Sequence, residues 1–313
     1  MSASTLASTL GRPFQPAREW WWRRQRQIAP YLFISPFFIL FLIFGLYPIL
    51  YSFWLSFTKG FGFEERSFAG LTNYLHLFSD ERFALAMRNT TFYAIGSIVL
   101  IGGLSLLLAL AINSRWVRWK TFFRTAFFFP VLTSEVVIAV IAARVFDEQY
   151  GLLNFGLNRI GLDSVAWLTD RGIVMFTIVL MGLWTWTGIN ALYWMAGLNG
   201  IDNDLYEAAA IDGAGRWQSF RYITMPLLRP IALFVVLQAI IGSYNLFALP
   251  LLLTDGGGPA DASLTVTLYI YNQGFQFFNV GYASAIAYVM TFFLLIVSAI
   301  NIKLFGGWAS PGD

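Results

Sequence analysis

Long apolar runs without a single charge dominate the chain: positions 31–58, 89–114, 172–201 and 230–254 carry no Asp, Glu, Lys or Arg. About 20 apolar residues suffice to cross a bilayer as a helix, so these four runs predict four membrane spans. Residues 125–146 are apolar apart from Glu135 and Arg144. Charges at membrane depth are tolerated when they face a protein interior or lie near an interface, and this run is read as a further span. The last uncharged stretch, 262–302, is about twice the length of one crossing, but Asn272, Gln273, Gln276 and Asn279 cluster in its first half. It is read as an interfacial or cavity-lining segment over 262–280, followed by one span over 281–302. The prediction is an all-α polytopic membrane protein with six transmembrane helices.

Between the fourth and fifth spans the pattern changes to a small-residue island, Glu207-Ala208-Ala209-Ala210-Ile211-Asp212-Gly213, running on to Tyr222-Ile223-Thr224-Met225-Pro226. Asp204 followed three residues later by Glu207 reads as a capping box, the alanines continue the helix at little side-chain cost, and Gly213 breaks it. Such a helix offers a protein partner a smooth, closely approachable face.

Composition agrees with a lipid solvent: 58% of residues are hydrophobic and 12% charged. Six spans put both termini on one side of the membrane. Thirteen basic residues fall on that side, in the tail (Arg12, Arg18, Arg23, Arg24, Arg26), the second connection (Arg115, Arg118, Lys120, Arg124), the fourth (Arg216, Arg221, Arg229) and at Lys303. Six fall on the other: Lys59, Arg66, Arg82, Arg88, Arg159 and Arg171. The positive-inside rule therefore makes the termini and the Glu207 loop cytoplasmic. The expected organisation is a basic cytoplasmic tail over 1–29, a membrane domain over 30–305 containing the loop 199–229, and a short cytoplasmic tail over 306–313. The net charge of +3 reflects this topology, and no nucleic-acid partner is expected. Trp20-Trp21-Trp22 beside Arg23-Arg24 suits a membrane-surface anchor or a simple orientation signal. The first span, with Pro36 and Pro48, is too long for a secretory h-region and lacks a small-residue cleavage site, so it is expected to stay attached.

Candidate chemistry is sparse. The lysines are Lys59, Lys120 and Lys303, preceded by Thr58, Trp119 and Ile302, so the chain has no Gly-Lys pair with which to build a phosphate loop. If ATP drives transport, another subunit hydrolyses it. The one histidine, His76, falls in an external loop, and there are no cysteines, which leaves no evident metal site. Glu135 and Arg144 have two readings: ion coupling, or hydrogen-bonded charges at the mouth of a helix bundle. Nine residues of helix separate them by about 13 Å of rise, so each needs a partner elsewhere.

Glu207-Ala208-Ala209 with Gly213 six residues on, and Ile223-Thr224-Met225-Pro226 downstream, resembles the EAA signature of bacterial binding-protein-dependent ABC importer permeases. Other stretches are similar to the carbohydrate branch of that family, the maltose and glycerol-3-phosphate type. These are Phe68-Ala69-Gly70-Leu71-Thr72-Asn73-Tyr74 leading to Arg88-Asn89-Thr90; Tyr150-Gly151-Leu152-Leu153-Asn154; and Leu253-Thr254-Asp255-Gly256-Gly257-Gly258-Pro259 followed by Gly281-Tyr282-Ala283-Ser284-Ala285. Met225-Pro226 departs from the common Leu-Pro and Tyr244-Asn245 from the common Trp-Asn, which leaves the detailed shape of the substrate site open.

The resemblance implies a bacterial cytoplasmic-membrane permease working with a second, similar permease, two cytoplasmic ATPase subunits and an external solute-binding protein. The chain itself would hold no cofactor; ATP and Mg would be bound by the ATPases. Glu207, Ala208, Ala209, Ile211, Asp212 and Gly213 would form the coupling helix and its turn, seated in a groove of the ATPase. Asn190, Tyr193, Gln238, Tyr244 and Asn245, with Trp184 and Trp186 nearby, are the candidates for the substrate pathway, because a sugar needs hydrogen-bond partners and flat apolar faces. For each of them an interfacial belt or an interhelical hydrogen bond is the competing reading. The competing function is a secondary transporter or channel coupled to an ion gradient, which would leave the Glu207 loop without a purpose.

Overall fold

The computed structural model describes residues 15–62, 66–114 and 117–305. Residues 1–14 of the basic tail, the tail 306–313 and the side chains of Trp20–Trp22 lie outside the described residues. The chain divides into two compact units, residues 1–55 and 56–313.

The first unit is a helix from Gln15, whose apolar, membrane-length part is α1, Gln27–Leu55. It passes through a π-helical turn at Leu42–Leu46, just before Pro48. Proline has no N–H to donate and crowds the preceding turn, and the wider π turn accommodates that without ending the helix. Phe37 and Phe41, and Tyr47 and Tyr51, stack at i,i+4 spacing with ring centroids 6.3 and 5.9 Å apart.

The second unit starts with a small antiparallel pair, β1 (Thr58–Lys59) and β2 (Ser67–Phe68), Thr58 facing Phe68. Then come α2 (Thr72–Ser79) and α3 (Glu81–Asn113), the latter with a π turn at Ser97–Ile101. Next are α4 (Lys120–Leu132), α5 (Glu135–Val145), α6 (Leu152–Arg159), α7 (Val174–Asn199), α8 (Asn203–Ile211) and α9 (Arg216–Leu227). The unit ends with α10 (Arg229–Tyr244), α11 (Ala248–Leu253), α12 (Val266–Tyr271) and α13 (Val280–Leu304). Among the described residues, α1, α3, α7 and α13 are straight enough, long enough and apolar enough to cross a membrane, and two bent pairs raise the total to six.

Those bent pairs differ from the expected uninterrupted spans. Over 125–146 the chain turns by 98° between α4 and α5. Phe129–Leu132, containing Pro130, tightens into a 3₁₀ turn, and Thr133 and Ser134 are extended before α5 restarts. The expected span 230–254 is divided where its helix stops at Tyr244 before α11, and just ahead of it α9 meets α10 at 66°, with Pro230 in the first turn of α10. The segment 262–280 becomes helical only from Val266 and carries a π turn at Asn272–Gln276.

Glycines let the long helices touch at the backbone. A Cβ on Gly188 would fall 1.8 Å from the Phe127 carbonyl oxygen, which seats the end of α4 directly against α7. Gly182 leaves room for the Tyr93 phenol of α3. Farther along, Trp194 buries its ring beside Ala109 and Ile112 and donates its indole N–H to Ser105 Oγ at 3.0 Å.

At one end of the unit, asparagines fasten the connections. Asn73 Nδ2 donates to the carbonyls of Ser56 and Thr58, both at 2.8 Å. Asn154 Nδ2 donates to the Glu148 and Val165 carbonyls while its Oδ1 accepts from the Val165 N–H and the Trp167 indole. Asn89 Nδ2 donates to the carbonyls of Asp261 and Leu264, and Thr90 Oγ1 accepts from the Val266 N–H. The clasped loop is a strained one, with positive φ at Asp255, Gly256, Gly257, Ala260 and Asp261. Arg82 closes the clasp, donating side-on to both carboxylate oxygens of Asp261 at 2.9 and 2.8 Å.

Candidate functional site

Two features of the second unit are open to partners or ligands, a cavity between helices and the α8 loop. The cavity has a volume of about 340 Å³, within the size range of small-molecule sites. Helix α7 presents Trp186, Asn190 and Tyr193 to it, spaced i, i+4 and i+7 on one face. Helix α10 presents Gln238 and Gly242, and Asn245 follows at the helix end with the same spacing. Four of the five expected pathway residues, Asn190, Tyr193, Gln238 and Asn245, thus share one cavity.

Tyr244 does not line it. One residue before Asn245 is about 100° around the helix, which turns Tyr244 into the core, where its hydroxyl meets Thr91 Oγ1 at 2.9 Å and its ring lies 5.3 Å from Phe293. The two asparagines are held by their own helices: Asn190 Nδ2 donates to the Trp186 carbonyl and Asn245 Nδ2 to the Ile241 carbonyl, leaving each amide oxygen as an acceptor. Tyr193 is fixed by an edge-on contact with Phe234, centroids 5.0 Å apart.

The opposite wall was not anticipated as a pathway. Tyr93, Ser97 and Ile101 of α3 line it at i, i+4 and i+8 around the π turn. The helical spacing of the two polar residues within the uncharged run was the signal available in the sequence. Glu135 completes the wall as the first residue of α5, brought there by the break at Thr133–Ser134. Arg144, exposed at the other end of α5, is not part of the cavity, so the two charges of that span have separate surroundings.

The α8 loop is open. The N-cap is Asp202, extended and accepting from the Asp204 N–H at 3.0 Å. This corrects the capping box expected from Asp204 and Glu207: Asp204 already lies inside the first turn. The C-terminus ends as the sequence implies. Gly213 has φ +83°, Gly213 N–H donates to Ala210 and Ala214 N–H reaches back to Ala209, which is the Schellman arrangement. Glu207, Ala208, Asp212 and Gly213 are exposed, Ala209 is partly covered, and Ile211 is 87% exposed. Behind this surface, Tyr206 hydroxyl and buried Thr224 Oγ1 meet at 2.9 Å, tying α8 to the last turn of α9, next to its bend into α10.

At the far end from α8, Asp80 caps α3 by accepting from the Arg82 and Phe83 N–H groups, and it also accepts from the hydroxyls of Tyr269 and Tyr282. Burial alone would push the Asp80 carboxyl up, but these combined hydrogen bonds hold it below the usual carboxylate range. Burial, then the neighbouring Asp80, raises the Tyr269 phenol. His76 packs its ring against Tyr282, centroids 5.0 Å apart.

Residues 101–305 match the family described as binding-protein-dependent transport system inner membrane component. The chain is 38% identical to the arabinooligosaccharides transport system permease protein AraP of Bacillus subtilis, covering 92% of this chain and 91% of that protein. It is 34% identical to the lactose transport system permease protein LacF of Rhizobium radiobacter, over 89% and 94% of the two chains. It is 32% identical to the trehalose/maltose transport system permease protein MalF of Thermococcus litoralis, over 85% and 89%. In fold it is similar to a chain of a bacterial ABC transporter involved in the import of the acidic polysaccharide alginate, with a TM-score of 0.80 over 93% of this chain and 100% of that one, at 23% identity.

Proposed function

Because the chain belongs to the family of binding-protein-dependent transport system inner membrane components, we propose that it is one of two permeases forming the pathway of an ATP-driven importer for a sugar or related polyol. The supporting observation is the cavity in which Trp186 and Tyr193 offer aromatic faces and Asn190, Gln238 and Asn245 offer amides. Aromatic faces and a few placed polar groups are what a hydroxylated, ring-shaped ligand requires. Relatives named for arabinooligosaccharides, lactose and trehalose/maltose transport support the same class.

In this reading the loop 199–229 is cytoplasmic, as are both termini, and α8 seats in an ATPase subunit that binds ATP and Mg. A second permease completes the cavity, and an external binding protein delivers the solute. Glu207 supplies a carboxylate for a charge-assisted bond, Ala208 and Ala209 permit close approach, and Ile211 supplies an apolar anchor. Movement of α8 passes through the Tyr206–Thr224 contact into α9 and α10, whose 66° junction lies between the loop and the Gln238 wall. That path makes nucleotide state and cavity access thermodynamically linked.

The test is uptake into vesicles containing both permeases and both ATPases. Accumulation of a neutral oligosaccharide that requires ATP and the binding protein is the expected result. Accumulation driven by a proton or sodium gradient without ATP would overturn it in favour of a secondary transporter, the reading under which Glu135 would carry the coupling ion.

A further inference from the structure

Every lining residue of the cavity is uncharged except Glu135. Asn190 and Asn245 each commit one amide N–H to their own helix backbone, which leaves each an acceptor oxygen and a second N–H, and Glu135 is the one acidic residue of the lining. A hydroxylated neutral ligand suits it, since each hydroxyl can donate to a carboxylate or amide oxygen. An anionic ligand finds no basic residue in this lining, and the Arg144 that shares the span with Glu135 lies outside the cavity.

We propose that Glu135 is a specificity-determining residue of this pathway, one that admits neutral polyhydroxylated ligands and rejects those bearing a carboxylate or phosphate. The proposal rests on the sugar-importer reading and narrows it. The break between α4 and α5 is what makes the device: a straight span would carry Glu135 along a helix flank, whereas the 98° turn makes it the first residue of a new helix at the cavity wall. Like charges several ångströms apart at the effective dielectric of a protein site repel strongly enough to change binding by about tenfold or more.

The experiment measures equilibrium binding to the purified four-subunit complex without binding protein, so that the permeases alone discriminate. The probes are neutral sugars paired with their aldonates: lactose and lactobionate, maltose and maltobionate, arabinotriose and its aldonate. Wild type is expected to bind one neutral member at least about tenfold more tightly than its aldonate. Glu135→Gln should reduce that ratio about tenfold, and Glu135→Asp, which keeps the charge, should restore most of it. An unchanged ratio in Glu135→Gln, or no wild-type preference, overturns the proposal while leaving the importer reading intact. If no sugar of either kind binds, the proposal fails, while the sugar reading stands or falls with the ATP- and binding-protein-dependent uptake assay.

Discussion

The loop 254–266 and the loop around α8 lie at opposite ends of the second unit, separated by the 26-residue helix α7, and they are secured very differently. Into the first, Arg82, Asn89 and Thr90 make five hydrogen bonds. The second is tied back by the Tyr206–Thr224 contact and otherwise presents Glu207, Ile211, Trp217 and Tyr222 to the outside. Both loops carry family motifs, so a motif alone does not say what its residues do. At the first loop Asn89, from the Arg88-Asn89-Thr90 motif of α3, satisfies backbone carbonyls of a strained turn, whereas the second leaves Glu207 and Ile211 exposed. Substitutions should separate these roles: damage at the clasp appears as lost stability, and damage at α8 as lost transport by a stable protein.

The largest effect is expected from Glu207→Ala. Its carboxylate has no ion-pair partner among the described residues, so removal should leave the melting temperature of the permeases purified without the ATPases unchanged. If it accepts a charge-assisted bond from the ATPase, ATP-driven uptake should fall about tenfold to a hundredfold. Undiminished uptake would dissolve the contrast between the two loops.

Asn154→Ala tests the same kind of fastening in the neighbouring connection between α5 and α7. The side chain is buried and serves two carbonyls, one N–H and one indole. Its loss should cost about 3 kcal/mol, because several partners are left buried without a bond. Thermal unfolding in detergent measures this, and uptake per folded complex should be nearly normal.

Gly213→Ala should cost less, about 1 kcal/mol, and by a different route. No atom lies within 4 Å of the position a Cβ would take, so the penalty is the left-handed φ of +83° and not a clash. Gly213→Asn should be milder than Gly213→Ala, since asparagine tolerates this conformation. Equal stability of all three in a thermal-shift series would show that the Schellman turn is not needed.

Charge-free runs located the helices because burying an ion in lipid is costly whatever the detailed fold. They did not reveal the breaks at Thr133–Ser134 and Leu228–Arg229, although Pro130 and Pro230 stood nearby; proline permits a break, and only packing against α7 or α13 selects it. Asn190, Tyr193, Gln238 and Asn245 were legible as polar and aromatic interruptions of apolar spans. Tyr244 was misplaced because adjacency in sequence is a third of a turn in a helix. Asp204 reads as the cap because Glu207, three residues on, completes a local pattern that the chain does not use; Asp202 caps the helix instead. Glu135 was visible as a charge, but its place in the cavity depends on a bend that no local pattern encodes.

The smallest effect expected is the pH response of the clasp, and it should be confined to that end. Asp80 is held below the usual carboxylate range by Tyr269, Tyr282 and the backbone of α3. A carboxyl with a lowered folded value contributes stability that is complete above its unfolded value, about 3.9, and is lost as pH falls through the lower folded one. Tyr269, raised by burial and by Asp80, has the opposite sign: its contribution is complete below the unfolded phenol value, about 10, and fades above it. The clasp should therefore be flat in stability from about pH 5 to about pH 9 and weaken on both flanks. Asp80→Asn should remove the acid flank, so that the stability difference between wild type and variant narrows below about pH 4. The cost of Gly213→Ala, which involves no titrating group, should be the same at every pH. A pH dependence in the Gly213 series matching that of Asp80 would mean that the two ends of the unit do not unfold separately, and the contrast between them would have to be drawn from transport alone.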